Sequence, residues 1–273
     1  MSIKNAYSRF LHGDTNILSA FAKRKELWRP LQDFLHSNDL CLAFSGAQAA
    51  ELNSAPWLHE PLNTLLTAVP SALIKSADII LQEEIDAHPN SRTGTLLQYP
   101  LNALLGKSDF GQFLSSRNLT DARAQQRSAA QEWMLKLEAL RSNFPPTKSG
   151  KYDRSQADLF AWTLTVQELG ASHFEFLQHF KDEVSLLKAD VFRSLRITGY
   201  VIYYKYYLAG QKPKESDFGD MFQLYDLPYC KLAIMERNIS GILNQIKKNH
   251  NVLDDVTVVN MEFLADWKWI EDV

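Results

Sequence analysis

Short apolar runs and helical periods alternate at the two ends of the chain, while a helical period dominates its middle. Residues 9–12, ending at Gly13-Asp14, predict a short buried strand. From there Ile17, Phe21, Trp28, Leu31 and Leu35 share one helical face. Ser37-Asn38-Asp39 predicts a turn, and residues 40–44 a second strand. Ser45 then suits the cap of a helix that carries Glu51. Pro56 and Pro61 break the next stretch into short helical pieces. Residues 71–85 leave two readings open, a helix or a strand followed by Asp78, Glu83 and Glu84.

From about 88 to 195 the pattern is mostly helical. Residues 129–140 predict an amphipathic helix that stops near Phe144-Pro145-Pro146, and 148–156 a polar loop. Residues 157–169 and 174–187 predict two further helices, split near Gly170. The Tyr-rich run 197–208 is too short and too polar to span a bilayer and reads as a buried helix or strand. Residues 231–235 predict a strand with Pro228 ahead of it. Residues 239–248 predict a helix with Ile239, Ile242, Leu243 and Ile246 on one face, and 256–261 a last, β-branched strand. Alternation at both ends predicts one parallel-sheet α/β domain assembled from about 1–87 and 196–273. The mostly helical stretch 88–195 is then a large insertion in it.

Composition narrows the class without choosing a function. A chain of 273 residues, 45% hydrophobic and 22% charged, has an ordinary globular profile and can bury a core without staples. The net charge of -3 carries no global nucleic-acid signature, so any such contact must come from a local patch. Cys41 and Cys230 lie in apolar runs and read as buried free thiols, which fits a reducing cytoplasm. The first residues lack the apolar core of a signal peptide, and no membrane association is expected.

Candidate chemistry lies in four acids near the ends of apolar runs: Asp14, Glu51, Asp220 and Glu236. Carboxylates gathered at the carboxyl ends of parallel strands can hold a hard divalent cation that activates water against a phosphodiester. Each acid alone has a plainer reading. Asp14 and Asp220 suit helix caps, Glu51 a solvated helix position, and Glu236 a surface charge beside Arg237. Asp217 and Asp226 compete with Asp220 for the third place. The Met-Phe-x-Leu that follows Asp220 favours it, by giving it a helix-opening context.

Other candidates are weaker. His12, His36, His59, His88, His173, His179 and His250 form no metal-ligand spacing. There is no Gly-rich phosphate loop, nucleophile elbow or Cys–His signature. Trp267 and Trp269 suit base stacking or a docked tail. Arg117, Arg123, Arg127, Arg141, Lys148, Lys151 and Arg154 suit phosphate contacts or a solvated face.

GDTNIL at Gly13–Leu18 resembles the opening signature of PIN-domain nucleases, which end their first strand on an Asp followed by Thr-Asn. SDFGDMFQLYDLPYCKLAIMERN at Ser216–Asn238 is similar to the back half of a divergent PIN-like group. Glu51 fits the second acidic position, on the helix after the second strand. The resemblance covers roughly the first 55 and last 65 residues, judged by strand–helix alternation. It departs from the family at the fourth position, where Met235-Glu236 stands in place of the usual Asp.

The resemblance implies a three-layer α/β/α sandwich with a central parallel sheet. It also implies a cytoplasmic endoribonuclease of bacterial type that uses Mg²⁺ or Mn²⁺. Asp14 and Asp220 are then direct ligands, Glu51 and Glu236 bind through water or complete a second site, and Asn16 and Ser45 orient ligands or substrate. Expected partners are RNA, with DNA as the alternative substrate, a second copy of the chain, and an inhibitor or antitoxin protein. The rival readings are a non-catalytic PIN-like binding or scaffold protein and a structure-specific DNA nuclease.

Overall fold

Each strand is only four residues long. In a computed structural model that describes residues 9–90, 92, 94–101, 113–114 and 116–262, six of them form one sheet. In chain order they are β1 (Phe10–Gly13), β2 (Cys41–Phe44), β3 (Ser71–Ile74), β4 (Leu97–Pro100), β5 (Leu232–Met235) and β6 (Thr257–Asn260). Their order across the sheet is β4-β3-β2-β1-β5-β6. All neighbours pair in parallel except β3 and β4, which are antiparallel.

Alternate side chains of each strand feed two different cores, which makes the fold an α/β sandwich. Leu11, Leu42, Phe44, Leu232, Ile234 and Val259 enter one cluster. It is filled by α1 (Thr15–Lys23), α2 (Trp28–Ser37) and α4 (His59–Ala68), with Leu52 of α3 (Gly46–Leu52) among its members. Phe10, Cys41, Ala43, Ala72 and Ile74 point the other way, toward α5 (Ala77–Ala87). On that second face Ala233, Met235 and Val258 join the largest cluster. It is built with α6 (Arg117–Asn143), α7 (Ala157–Ser172), α9 (Arg193–Ile202) and α11 (Arg237–Asn249). Two short helices, α8 (Phe174–Gln178) and α10 (Glu215–Phe222), complete the set named here. Cover on both faces explains why the central strands are almost uniformly apolar.

Several local expectations change in detail. The single helix expected from Ile17 to Leu35 breaks into α1, a 3₁₀ turn at Lys25–Leu27 and α2. Asp39, with φ 53°, makes the turn into β2. Residues 71–85 hold both alternatives in succession, β3 and then α5. The helix expected over 174–187 ends after α8, and only a 3₁₀ turn at Val184–Leu186 follows. β4 enters the sheet from within the stretch expected to be a helical insertion. The Tyr-rich run is helical, α9 passing into a π-helical turn at Tyr203–Leu208. Its hydroxyls are bonded: Tyr203 donates to Asp153 O at 2.7 Å and Tyr206 to Asp217 Oδ2 at 2.8 Å. Among the described residues no helix is long and apolar enough to cross a membrane.

Two features of the helical layer carry measurable energy. α9 crosses α7 where a Cβ on Gly199 would lie 2.8 Å from Ala161 Cα, a backbone atom that cannot swing aside. Gly199→Ala is therefore expected to cost about 1–3 kcal/mol through overpacking, checked by urea denaturation; an unchanged midpoint would reject this close crossing.

The second feature is Glu84, which is fully buried. Its Oε1 accepts from Ser194 N at 2.9 Å and from Tyr229 OH at 2.5 Å, joining α5 to α9, while its Oε2 has no partner. Burial pushes its pKa from 4.5 up to about 7, against the lowering effect of those donors. The folded state thus holds this proton more tightly than the unfolded chain. Stability is highest below the unfolded pKa and is lost as pH rises through the folded value, by up to about 3 kcal/mol. Glu84→Gln, which mimics the protonated acid, should melt higher than the native chain at pH 8, with the gap closing toward pH 4.5. A pH-independent gap in melting temperature would contradict that proton affinity.

Candidate active site

The strand order reverses at β1, whose neighbours lead in sequence away from it on both sides. β1 runs to β2 and β3 on one flank and lies against β5 and β6 on the other. Such switch points open a crevice at the carboxyl ends of the strands, the usual ligand position in α/β sheets. Asp14 follows β1 directly and Glu236 follows β5 directly.

Each of these two acids starts a helix. Asp14 caps α1, accepting from Ile17 N through Oδ1 at 2.8 Å. Its Oδ2 accepts from Glu236 N at 3.2 Å, which ties the two strand ends together. Asn16 Nδ2 donates to Glu236 Oε1 at 2.6 Å. Ser45 caps α3 in a reciprocal box with Gln48, whose Nε2 donates to Gly13 O at 2.6 Å. The amino ends of α1, α3 and α11 therefore converge on one edge, where their partial positive charge favours anions.

Glu51 and Asp220 come to this edge from α3 and α10. Thr15 Oγ1 donates to Glu51 Oε2 at 2.7 Å, and Gln223 Nε2 donates to the same oxygen at 2.8 Å. Asp220 makes no hydrogen bond among the described residues and keeps solvent contact. The protein crowded around it, and then Glu51, push its pKa up to about 6, with Asp217 and Asp14 adding and Lys205 opposing. The pKa of Asp14 is also raised, chiefly by burial; the Ile17 and Glu236 N–H groups oppose the shift and the Glu236 charge adds to it. The four expected acids thus interact along one edge, with Asn16 bonded to Glu236, while the Ser45 side chain bonds only to Gln48 among the described residues and caps α3.

Asp217 does a different job. Its Oδ1 accepts from Lys205 Nζ at 3.0 Å, and its Oδ2 from Tyr206 OH at 2.8 Å and Lys214 N at 3.0 Å. It is the third residue of α10 and caps the amino end of that helix, whereas Asp220 lies in mid-helix. The helix-opening role expected for Asp220 falls to its neighbour. Thr15, the first residue of α1, holds Glu51 through its hydroxyl.

One constellation was not readable from spacing. His12 Nδ1 lies 2.8 Å from Asp226 Oδ2, and Cys230 Sγ lies 3.7 Å from the same oxygen. Among the described residues this buried trio alone places three ligand-type atoms within 4.8 Å of one another. Burial alone would lower the pKa of His12, but the charge and hydrogen bond of Asp226 outweigh it and the net direction is up. Burial drives the Cys230 thiol well above its ordinary value, so it keeps its proton and serves as a weak donor. The four acids of the crevice, by contrast, are spread more widely than the shell of a single ion.

The basic residues of the middle are mostly engaged or outward. Arg117 Nε lies 3.7 Å from Asp121 Oδ2, and Arg141 Nε donates to Tyr152 OH at 3.0 Å. The side chains of Arg123 and Arg127 lie outside the described residues, as do Trp267 and Trp269.

No family model matches this chain, and neither a curated protein nor a solved structure matches it.

Mutual repulsion at the crevice has a thermal signature. Asp220→Asn is expected to raise the melting temperature of metal-free protein by on the order of 1–3 °C at pH 8, because solvent contact screens part of the repulsion. The gain should disappear near pH 4, where the carboxyl is protonated. A melting temperature lowered by the substitution at pH 8 would mean that Asp220 is not strained by its acidic neighbours.

Proposed function

We propose that this chain is a metal-dependent nuclease with a PIN-like fold, cleaving RNA phosphodiester bonds at the crevice between β1 and β5. The observation that carries this reading is the convergence of Asp14, Glu51, Asp220 and Glu236 from four separate elements. The donor set consists of carboxylate oxygens, which suit a hard ion such as Mg²⁺ or Mn²⁺. The raised Asp14 and Asp220 are the groups that a dication would relieve. RNA as the substrate rests on the resemblance of the Gly13–Leu18 and Ser216–Asn238 segments to PIN-domain nucleases.

In this reading Asp14 and Asp220 hold the ion, and Glu51 and Glu236 complete its surroundings through water. Such an ion supplies a lowered pKa for bound water and charge compensation at the scissile phosphate. The chain supplies the rest. Thr15 and Gln223 fix Glu51 by its Oε2 and leave Oε1 without a hydrogen bond among the described residues. Asn16 fixes Glu236 in the same way. The convergent helix amino ends offer a favourable field for the phosphate. Asp217 anchors α10 to Lys205 and Tyr206, which sets the height at which Asp220 is presented.

A second reading has its own observation. Both oxygens of Asp14 already accept backbone N–H groups, and the four acids do not close to single-ion spacing. A non-catalytic PIN-like binding protein would keep those contacts. The two readings part on one experiment. Purified protein with Mn²⁺ should degrade single-stranded RNA, and Asp14→Asn or Asp220→Asn should lower the rate at least about 100-fold with the far-ultraviolet spectrum unchanged. No degradation of RNA, single-stranded DNA or flap DNA, together with no calorimetric heat on adding Mn²⁺, would leave the binding reading in place.

A further inference from the structure

A second concavity lies behind the acids, across α3 and α10. Its volume is about 510 Å³, within the roughly 300–1,000 Å³ of small-ligand pockets. Gly46 and Ala50 of α3 line one side, and Phe218 and Phe222 of α10 another. The two phenylalanines are two positions either side of Asp220 and so project from the opposite face of the helix. Tyr225 continues the aromatic wall. Phe218 and Phe222 meet edge-on at 4.9 Å, and Phe222 stacks on Tyr225 at 5.8 Å with 20° between the planes.

Ser45, Lys75, Asp78 and Gln125 also line the cavity, and among its walls lies one buried carboxylate. Asp226 lines the cavity at 2% exposure. Its Oδ2 is taken by His12 Nδ1 and Cys230 Sγ, and among the described residues its Oδ1 accepts no hydrogen bond. Oδ1 is not sealed from solvent, so it is the carboxylate oxygen that a donor in the cavity meets. The complement of this pocket is a flat ring that fits between aromatic and small residues and carries N–H donors on one edge.

We infer that this pocket binds a nucleobase, with the base's N–H groups donating to Asp226 and its ring against Phe222 and Tyr225. Guanine fits best, because its ring N–H and its exocyclic amine lie side by side and both reach the one open oxygen, Oδ1, where uracil offers a single N–H. The base comes either from a free nucleoside or from a single-stranded chain. The site needs neither ion nor cleavage, so it stands or falls apart from the nuclease reading.

The test uses the full chain in a chelating buffer and isothermal calorimetry, with guanosine, uridine and a short, non-cleavable 2′-O-methyl oligonucleotide carrying one guanine. Guanosine should bind more tightly than uridine. Phe222→Ala and Asp226→Asn should each weaken guanosine by at least about tenfold, in line with the value of base stacking and of a paired acceptor. Gly46→Leu is the decisive variant. A Cβ there meets nothing within 4 Å, so the added side chain can enter the cavity without disturbing the fold. It should abolish binding while the melting curve stays native. Binding of the oligonucleotide as well as guanosine assigns the base to a chain, and binding of guanosine alone assigns it to a free nucleoside. Absence of guanosine binding, or binding unchanged in Gly46→Leu, overturns the site.

Discussion

The pairing of β1 with β5 is the constraint on which the rest of this molecule depends. Leu11, His12 and Gly13 lie in parallel register with Leu232, Ala233 and Ile234, so residues more than 200 positions apart become neighbours. The register also fixes which residues end the two strands at the same height. Asp14 and Glu236 follow directly, and the Glu236 N–H closes onto Asp14 Oδ2. A slip of one residue would reverse the faces of the strand and send Ala233 and Met235 into the wrong core. The fold and the acidic edge are therefore specified by the same hydrogen-bonded ladder.

Putting like charges together at that edge opposes folding, and the local architecture offsets the cost in three ways. Helix amino ends face the carboxylates, with Asp14 and Ser45 as side-chain caps. Neutral donors from Thr15, Asn16 and Gln223 take up one oxygen each on Glu51 or Glu236. Asp220 remains partly in water, where its repulsion is screened. What is left appears as raised proton affinity at Asp14 and Asp220. Such residual strain is the expected mark of a place built to receive a positive charge.

The central strands and their helices were legible because β1, β2, β5 and β6 are short apolar runs ended by polar caps. β4 was not, because none of its four residues is buried and Gln98 and Tyr99 are exposed, so no apolar run marks it. The same limit governs the site. Asp14 and Glu236 could be read as strand ends, and Ser45 as a cap. The choice between Asp217 and Asp220 could not be read from spacing, since it turns on Lys205 and Tyr206 in a π-helical turn no local pattern announces. His12, Asp226 and Cys230 are invisible to any local motif, because strand pairing alone brings His12 to the other two.

Two helices, α3 and α10, serve both the acidic edge and the rear pocket, whose remaining helical walls come from α5 and α6. α3 presents Glu51 forward, with Gly46 and Ala50 behind. α10 presents Asp220 and Gln223 forward, with Phe218 and Phe222 behind. The Glu51–Gln223 hydrogen bond bridges the two helices at the front, and no hydrogen bond among the described residues bridges them at the back. A ring inserted behind would press on Phe218 and Phe222 and so act on the element that carries Asp220. Asp226 extends that coupling through the sheet, because its partner His12 lies on β1 two residues before Asp14.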